Sequence, residues 1–125
     1  MSEKVKILIV EDEAEMREAI KLRLEANQFE VITAADGSEG LSKARTEKPN
    51  LIILDIMLPK LDGFRLCRML KFDENYKNIP VIILTAKTQK TDINRGKEMG
   101  AEAYITKPFK SEELLAEINE LLAKK

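Results

Sequence analysis

The chain has 125 residues, enough for one domain around a single core and too few for a second module of any size. Hydrophobic residues make up 44% and charged residues 34%, with a formal net charge of -1, so neither a disordered tail nor a nucleic-acid-binding polycation is indicated. Histidine is absent and cysteine occurs once, at Cys67. Ser-His-Asp and Cys-His catalysis, imidazole metal ligands, an internal histidine phosphodonor, an internal disulfide and a cysteine-cluster metal site are thereby removed.

Val5 to Val10 predicts a first strand, and Glu11-Asp12-Glu13 places three acids at its carboxyl end. No long apolar run or signal peptide precedes it, so a cytoplasmic protein with no membrane span is expected. From Ala14 to Asn27, the residues Met16, Ala19, Ile20 and Leu24 recur close to a helical period and predict a covering helix. Glu13, at the start of that helix, reads as an exposed acid favoured by the helix dipole. Glu30 to Ala34 predicts a second strand. Asp36, with Glu39 three residues on, predicts a capping box for a second helix that Lys48-Pro49 ends.

Leu51-Ile52-Ile53-Leu54 is a short apolar run bounded by Lys48-Pro49-Asn50 and by Pro59 and Asp62-Gly63. It predicts a central strand covered on both faces and ending in Asp55. Gly63 to Phe72 predicts a third helix that packs Cys67 into the core. Val81 to Leu84 predicts a fourth strand ending in the hydroxyl of Thr85. Lys90 to Met99 reads as a helix with a thin apolar stripe and Gly100 as its stop. Ala103 to Thr106 predicts the last strand, followed by the loop Lys107-Pro108-Phe109. Ser111 is expected to cap a final helix with Leu114, Leu115, Ile118, Leu121 and Leu122 on one side.

Five strands alternating with five helices through short loops predict a doubly wound α/β domain, a parallel sheet with helices on both faces. Ligands of such sheets bind outside the carboxyl ends of the strands. Glu11, Asp12, Asp55, Thr85 and Lys107 all fall on that rim. A nucleotide-binding version would need glycine or hydroxyl residues in the first loop, whereas Glu11-Asp12-Glu13 repels phosphate. Acids converging from two loops suit a hard divalent cation with oxygen ligands, magnesium ahead of calcium. Two carboxylates about 4 Å apart repel by on the order of 4 kcal/mol at an effective dielectric near 20, so a metal or a raised pKa is called for. With a cation present, Asp55 can serve as ligand, nucleophile or both, Lys107 supplies a positive charge and Thr85 a hydroxyl to an incoming anion. That is a phosphoryl site, and carboxylate attack there gives an acyl phosphate.

With these residues in hand the chain resembles, over essentially its whole length, the receiver domain of two-component response regulators, the CheY-like superfamily. Glu11-Asp12 resembles the family's acidic pair, Asp55 its phosphoacceptor, Thr85 its switch hydroxyl, Tyr104 its switch aromatic, and Lys107-Pro108-Phe109 its Lys-Pro-Phe loop. The resemblance implies a (βα)5 flavodoxin-like fold with strand order 2-1-3-4-5, residues 1–125 forming one receiver domain. It further implies Mg2+, with Mn2+ as an alternative, held by Asp12, Asp55 and the backbone carbonyl of Met57, with Glu11 acting near it or through water. Lys107 would pair with the phosphoryl group, the Lys107-Pro108 peptide would be cis, and Ala86 would leave the acceptor accessible.

Two enzyme readings compete. A haloacid-dehalogenase-like phosphatase needs a second Asp two residues after the nucleophile, and a toprim-type nuclease an Asp-x-Asp; Met57 stands at that position. A binding module that had lost phosphorylation would lack an acid or the lysine, and none is missing. The expectation is therefore a phosphorylation-controlled switch rather than an enzyme. Its donor would be a sensor histidine kinase or phosphotransfer protein, and its target a protein or a fused output domain. The segment itself is expected to touch neither nucleic acid nor membrane. Ala103 and Glu117 occupy positions where dimerising relatives carry an acid and an arginine, so a monomer or a weak phosphorylation-dependent dimer is expected.

Overall fold

The computed structural model describes residues 4–56, 58, 62–85 and 100–124. Five parallel strands, β1 (Lys6–Val10), β2 (Glu30–Ala34), β3 (Leu51–Asp55), β4 (Val81–Thr85) and β5 (Ala103–Thr106), form one sheet in the order β2-β1-β3-β4-β5. Between them run α1 (Ala14–Ala26), α2 (Gly37–Glu47) and α3 (Gly63–Lys71), and a C-terminal helix (Ser111–Ala123) closes the chain. The expected helix at 90–99 lies outside the described residues, as do Met57 and Ala86.

The inner strands β1, β3 and β4 are short, apolar and buried on both faces, as parallel strands under helices must be, whereas the edge strands β2 and β5 are only partly buried. β3 and β4 are buried at every position. Alternation along the strands sorts their side chains into two cores. Ile7, Ile9, Leu51, Ile53, Ile82 and Leu84 pack with Ile20 and Leu24 of α1 and with Leu114, Ile118 and Leu121 of the C-terminal helix. Leu8, Val10, Ile52, Leu54, Val81 and Ile83 pack with Ala44 of α2 and with Leu66, Cys67 and Leu70 of α3. Each fully buried Ile or Leu contributes roughly 1.5–3 kcal/mol of transfer free energy. Cys67 is wholly buried, and burial first of all pushes its thiol up to about 12, which makes it a packing residue.

Two caps differ from the sequence expectation. Asp36 caps α2 through the Glu39 amide, 2.8 Å, but the Glu39 carboxylate reaches back one residue further, to the amide of Ala35 rather than Asp36. That bond, ahead of the nearby Lys43 ammonium, holds the Glu39 carboxyl below its usual value. At the C-terminal helix the cap position is Lys110, extended at φ -90° and ψ 145°, and Ser111 is already helical. The Lys110 carbonyl accepts from the amides of Glu113 and Leu114, so the helix begins one residue earlier than a Ser111 cap requires.

At the amino end of the sheet, Lys71 is nearly buried and all three of its ammonium donors are used. They go to Lys77 O at 2.7 Å, Ile79 O at 2.9 Å and Glu102 Oε2 at 2.6 Å, while Glu102 Oε1 accepts from Val81 N at 2.8 Å. Gly100, at φ +90°, lets the chain into β5 pass against the Lys71 stem, where a Cβ would lie 3.1 Å from Lys71 Cβ. This clasp ties α3, the loop before β4 and the start of β5 together. Lys71→Ala is expected to lower unfolding free energy in urea by about 2–3 kcal/mol, the lower end for a broken buried pair because Glu102 keeps some solvent. A loss within 0.5 kcal/mol, the usual range for surface sites, would deny the clasp any structural weight.

Candidate phosphoryl and metal site

Order β2-β1-β3 means that the chain leaves β1 and β3 toward opposite sides, which opens a crevice between their carboxyl ends. Val10 pairs in register with Leu54, so Glu11 and Asp55 follow side by side. β4 and β5 add the other members: Thr85 pairs with Thr106, and the Lys107 amide donates to the Thr85 carbonyl at 2.6 Å. The rim thus gathers residues that lie almost a hundred positions apart in the chain.

Lys107 Nζ donates to Asp55 Oδ2 at 2.7 Å and to Glu11 Oε1 at 3.1 Å. Burial of Lys107 works to lower its pKa, but the hydrogen bonds and charges of Asp55 and Glu11 together outweigh it, and the ammonium is held above its ordinary value. Glu11 is 1% exposed. Burial raises its pKa and the Asp55 charge adds to the rise, against the Glu13 amide and Lys107, which favour the carboxylate. The second Glu11 oxygen accepts from that Glu13 amide at 3.1 Å. Asp12 is exposed at the mouth.

One carboxylate oxygen from each of Glu11, Asp12 and Asp55 lies within 4.8 Å of the other two. Magnesium bonds oxygen at about 2.1 Å, so opposed ligands stand about 4.2 Å apart and this set closes on the ion with small side-chain movements. The donors are hard oxygens, and among the described residues no histidine or cysteine joins the cluster, so the residues fit that ion. The position of the Met57 carbonyl lies outside the described residues.

Gly63 is what allows α3 to start so close to the acceptor strand. A Cβ there would stand 2.4 Å from the Asp55 carbonyl oxygen and 2.6 Å from Ile56 Cα, and its amide donates to the Ile56 carbonyl at 3.1 Å. Asp62 caps the helix through the Arg65 amide at 2.9 Å. The Asp62-Gly63 pair is therefore a helix start pressed against the Asp55 backbone.

Thr85 and Tyr104 belong to the other side of the sheet. By alternation Asp55 continues the face of Leu51 and Ile53, whereas Thr85 continues that of Val81 and Ile83, against which Tyr104 packs. Thr85 is 3% exposed. Tyr104 is half-buried and its hydroxyl donates to the Ala101 carbonyl at 3.2 Å. The Lys107-Pro108 peptide is cis, as the resemblance implied. One residue the sequence did not mark also bears on the site: Arg17 Nη1 donates to the Glu11 carbonyl at 2.8 Å and to the Asp12 carbonyl at 3.4 Å. It carries no motif, because it acts through backbone groups that only folding brings near.

Fold and site together define a doubly wound α/β domain with an acidic, lysine-bridged rim. The family model of the response regulator receiver domain matches residues 7–119, and the chain belongs to that family, the receivers of two-component signalling. Over 117 residues it is 45% identical to the alkaline phosphatase synthesis transcriptional regulatory protein PhoP of Bacillus subtilis, covering 94% of this chain and 48% of that protein. Over 117 residues it is 43% identical to the DNA-binding dual master transcriptional regulator RpaA of Synechocystis, again covering 94% and 48%. The chain therefore spans about half the length of these curated relatives, 48% of each. Among solved structures, the chemotaxis response regulator CheY4 of Vibrio cholerae is similar with a TM-score of 0.90 at 33% identity, over 95% of this chain and 99% of that one. A putative response regulator from Chloroflexus aurantiacus gives 0.92 at 33%, over 97% and 99%.

Burial above all, then the charges of Cys67 and Glu102, pushes the Tyr104 phenol up to about 12. Its folded form holds the proton more tightly than the unfolded chain, whose phenol titrates near about 10, so stability falls as pH rises through that window. Absorbance titration of phenolate should show a step near about 12 that disappears in Tyr104→Phe. A step that survives the substitution would belong to another group.

Proposed function

We propose that Asp55 accepts a phosphoryl group from a phosphohistidine on a sensor histidine kinase or phosphotransfer protein, and that the resulting acyl phosphate switches the domain between two states. The observation that carries the reading is the Lys107 ammonium set between Asp55 and Glu11, with Asp12 completing an acidic triad on the same rim. An Asp55 oxygen attacks phosphorus, the P–N bond to the donor imidazole breaks as the P–O bond forms, and the imidazole leaves with its proton restored from water. Lys107 gives its Nζ hydrogens to the oxygens on which charge gathers. Glu11, Asp12 and Asp55, with the Met57 carbonyl by family resemblance, are the proposed holders of Mg2+, which when bound neutralises phosphoryl oxygens. The domain takes part in its own phosphotransfer and dephosphorylation without being an enzyme that turns over a substrate.

The phosphate is then read by Thr85, whose hydroxyl donates to it, and by Tyr104 on the same face of the sheet. Movement of the Tyr104 ring away from the Ala101 carbonyl changes the surface of β5 and the C-terminal helix, and the expected helix at 90–99, the third member of that surface in the sequence reading, lies outside the described residues. Reversing a 1:99 population takes about 5.5 kcal/mol of differential binding, more than one hydroxyl contact supplies, so Lys107 and the cation share the task. The listener is a protein target or a fused output domain, by analogy with relatives whose names make them transcriptional regulators. No helix among the described residues is long and apolar enough to cross a membrane, and a cytoplasmic monomer or weak phosphorylation-dependent dimer is proposed.

Incubation with a small phosphodonor, followed by mass measurement, should add one phosphoryl group only with Mg2+ and none to Asp55→Asn. Undiminished labelling of Asp55→Asn, or labelling that survives chelation, would remove Asp55 or the cation from the reaction. Asp12→Ala should abolish the Mg-dependent rise in melting temperature, which follows RT ln(1 + [Mg]/Kd).

Thr85→Ala should still be labelled on Asp55 but show smaller amide shifts around Tyr104 than beryllofluoride-treated wild type. Full wild-type shifts in that variant would rule out Thr85 as the reader.

A further inference from the structure

We infer that Arg17 is a positioning residue for the acidic pair: its guanidinium tethers the carbonyls of Glu11 and Asp12 and so fixes the turn that presents their carboxylates to a divalent cation. The inference rests on the cation reading of the site and on no step of phosphoryl transfer. Glu11 is the last residue whose amide pairs with β2, donating to the Ala34 carbonyl at 3.0 Å. Past it the chain must leave the sheet and enter α1 within three residues, and α1 begins at Ala14 after a cap position, Glu13, whose side chain makes no capping hydrogen bond. Two restraints hold the turn. One is the Glu11 carboxylate on the Glu13 amide at 3.1 Å. The other is Arg17, itself anchored in the first turn of α1 by its amide on the Glu13 carbonyl at 2.9 Å, with Nη1 at 2.8 Å from Glu11 O and 3.4 Å from Asp12 O.

The first restraint is conditional, because the Glu11 carboxylate also answers to Lys107 and belongs to the acidic triad. A rearrangement of that carboxylate toward a cation loosens its hold on the Glu13 amide. Arg17 touches only backbone oxygens in this turn and is unaffected by that exchange. It is the restraint that persists when the acids engage. The guanidinium suits the task because it presents several donors in a fixed plane and stays charged at any pH the fold survives, where a lysine offers one point charge.

Two effects of Arg17 on cation binding oppose each other, which makes the inference sharp. Its positive charge near the triad weakens binding, so charge alone predicts that Arg17→Ala binds Mg2+ more tightly. Loss of the tether predicts weaker binding, because the carboxylates must then be ordered at the moment of capture. A charge-assisted hydrogen bond to backbone is the stronger of the two contributions at this half-exposed position, where solvent screens the charge.

The test is magnesium titration followed by amide NMR shifts, without a phosphodonor. Arg17→Ala should raise the half-saturating Mg2+ on the order of tenfold, the size of one net charge-assisted hydrogen bond, and its saturated spectrum should converge on the wild-type one beyond α1. Half-saturation equal to or below the wild-type value would overturn the inference. Arg17→Lys should fall between the two, and it carries the test if Arg17→Ala fails to melt cooperatively; wild-type half-saturation in Arg17→Lys then overturns it equally. A second readout needs no metal. The Asp12 and Glu13 amides should shift and exchange faster in Arg17→Ala, and unchanged amides there would also overturn the tether. A wild type with no magnesium response at all would sink the cation reading instead, a result these variants distinguish.

Discussion

The Lys107 ammonium, shared between Asp55 and Glu11, is the interaction on which the rest of the rim depends. Glu11 is almost inaccessible to water and Asp55 nearly so, and two such carboxylates side by side are a liability that a single mobile cation on a lysine stem relieves. The cost of assembling the site is met by the sheet, which brings β1, β3 and the end of β5 together through buried apolar pairs whether or not the acids are content. A protein that keeps these groups together for stability alone would be better served by apolar residues of similar volume. Their retention at a carboxyl-end crevice is the mark of a site built to receive charge.

Alternation along the strands divides the labour. Asp55 lies on the parity of the core shared by α1 and the C-terminal helix, Thr85 and Tyr104 on that of the core shared by α2 and α3. The two sets thus stand on opposite parities of the sheet and approach each other at its rim, where the Lys107 amide is bonded to the Thr85 carbonyl. Thr85 is the last residue of β4, one position beyond Leu84, the register partner of Asp55, and two beyond Ile83, the register partner of Tyr104.

At the far end of the sheet the Lys71–Glu102 clasp does the opposite work. It satisfies every donor of a nearly buried ammonium and pins the entry to β5, the strand that carries Tyr104. The Tyr104 hydroxyl rests on the Ala101 carbonyl. Gly63 adds a third constraint by letting α3 press on the Asp55 backbone, where a Cβ would stand 2.4 Å from the Asp55 carbonyl oxygen.

By itself the sequence determined the five strands, their order of appearance, the two-sided burial of Leu51–Leu54 and the gathering of Glu11, Asp12, Asp55, Thr85 and Lys107 on one rim. Those follow from local periodicity and from the handedness of parallel crossovers, which need no coordinates. The receiver resemblance rested on motifs spaced along the chain, legible because the chemistry fixes both residue type and order, and the cis peptide was implied by that resemblance. Tertiary structure alone decided which groups touch: that Lys107 bridges Glu11 as well as Asp55, that Arg17 holds two carbonyls, that Glu39 reaches Ala35, that Lys110 rather than Ser111 precedes the last helix, and that Lys71 finds Glu102 thirty-one residues away. These contacts depend on side-chain reach to backbone atoms or on pairs distant in sequence. A period of 2 or 3.6 residues carries information about faces, and none about which long side chain on a face will close the last ångströms.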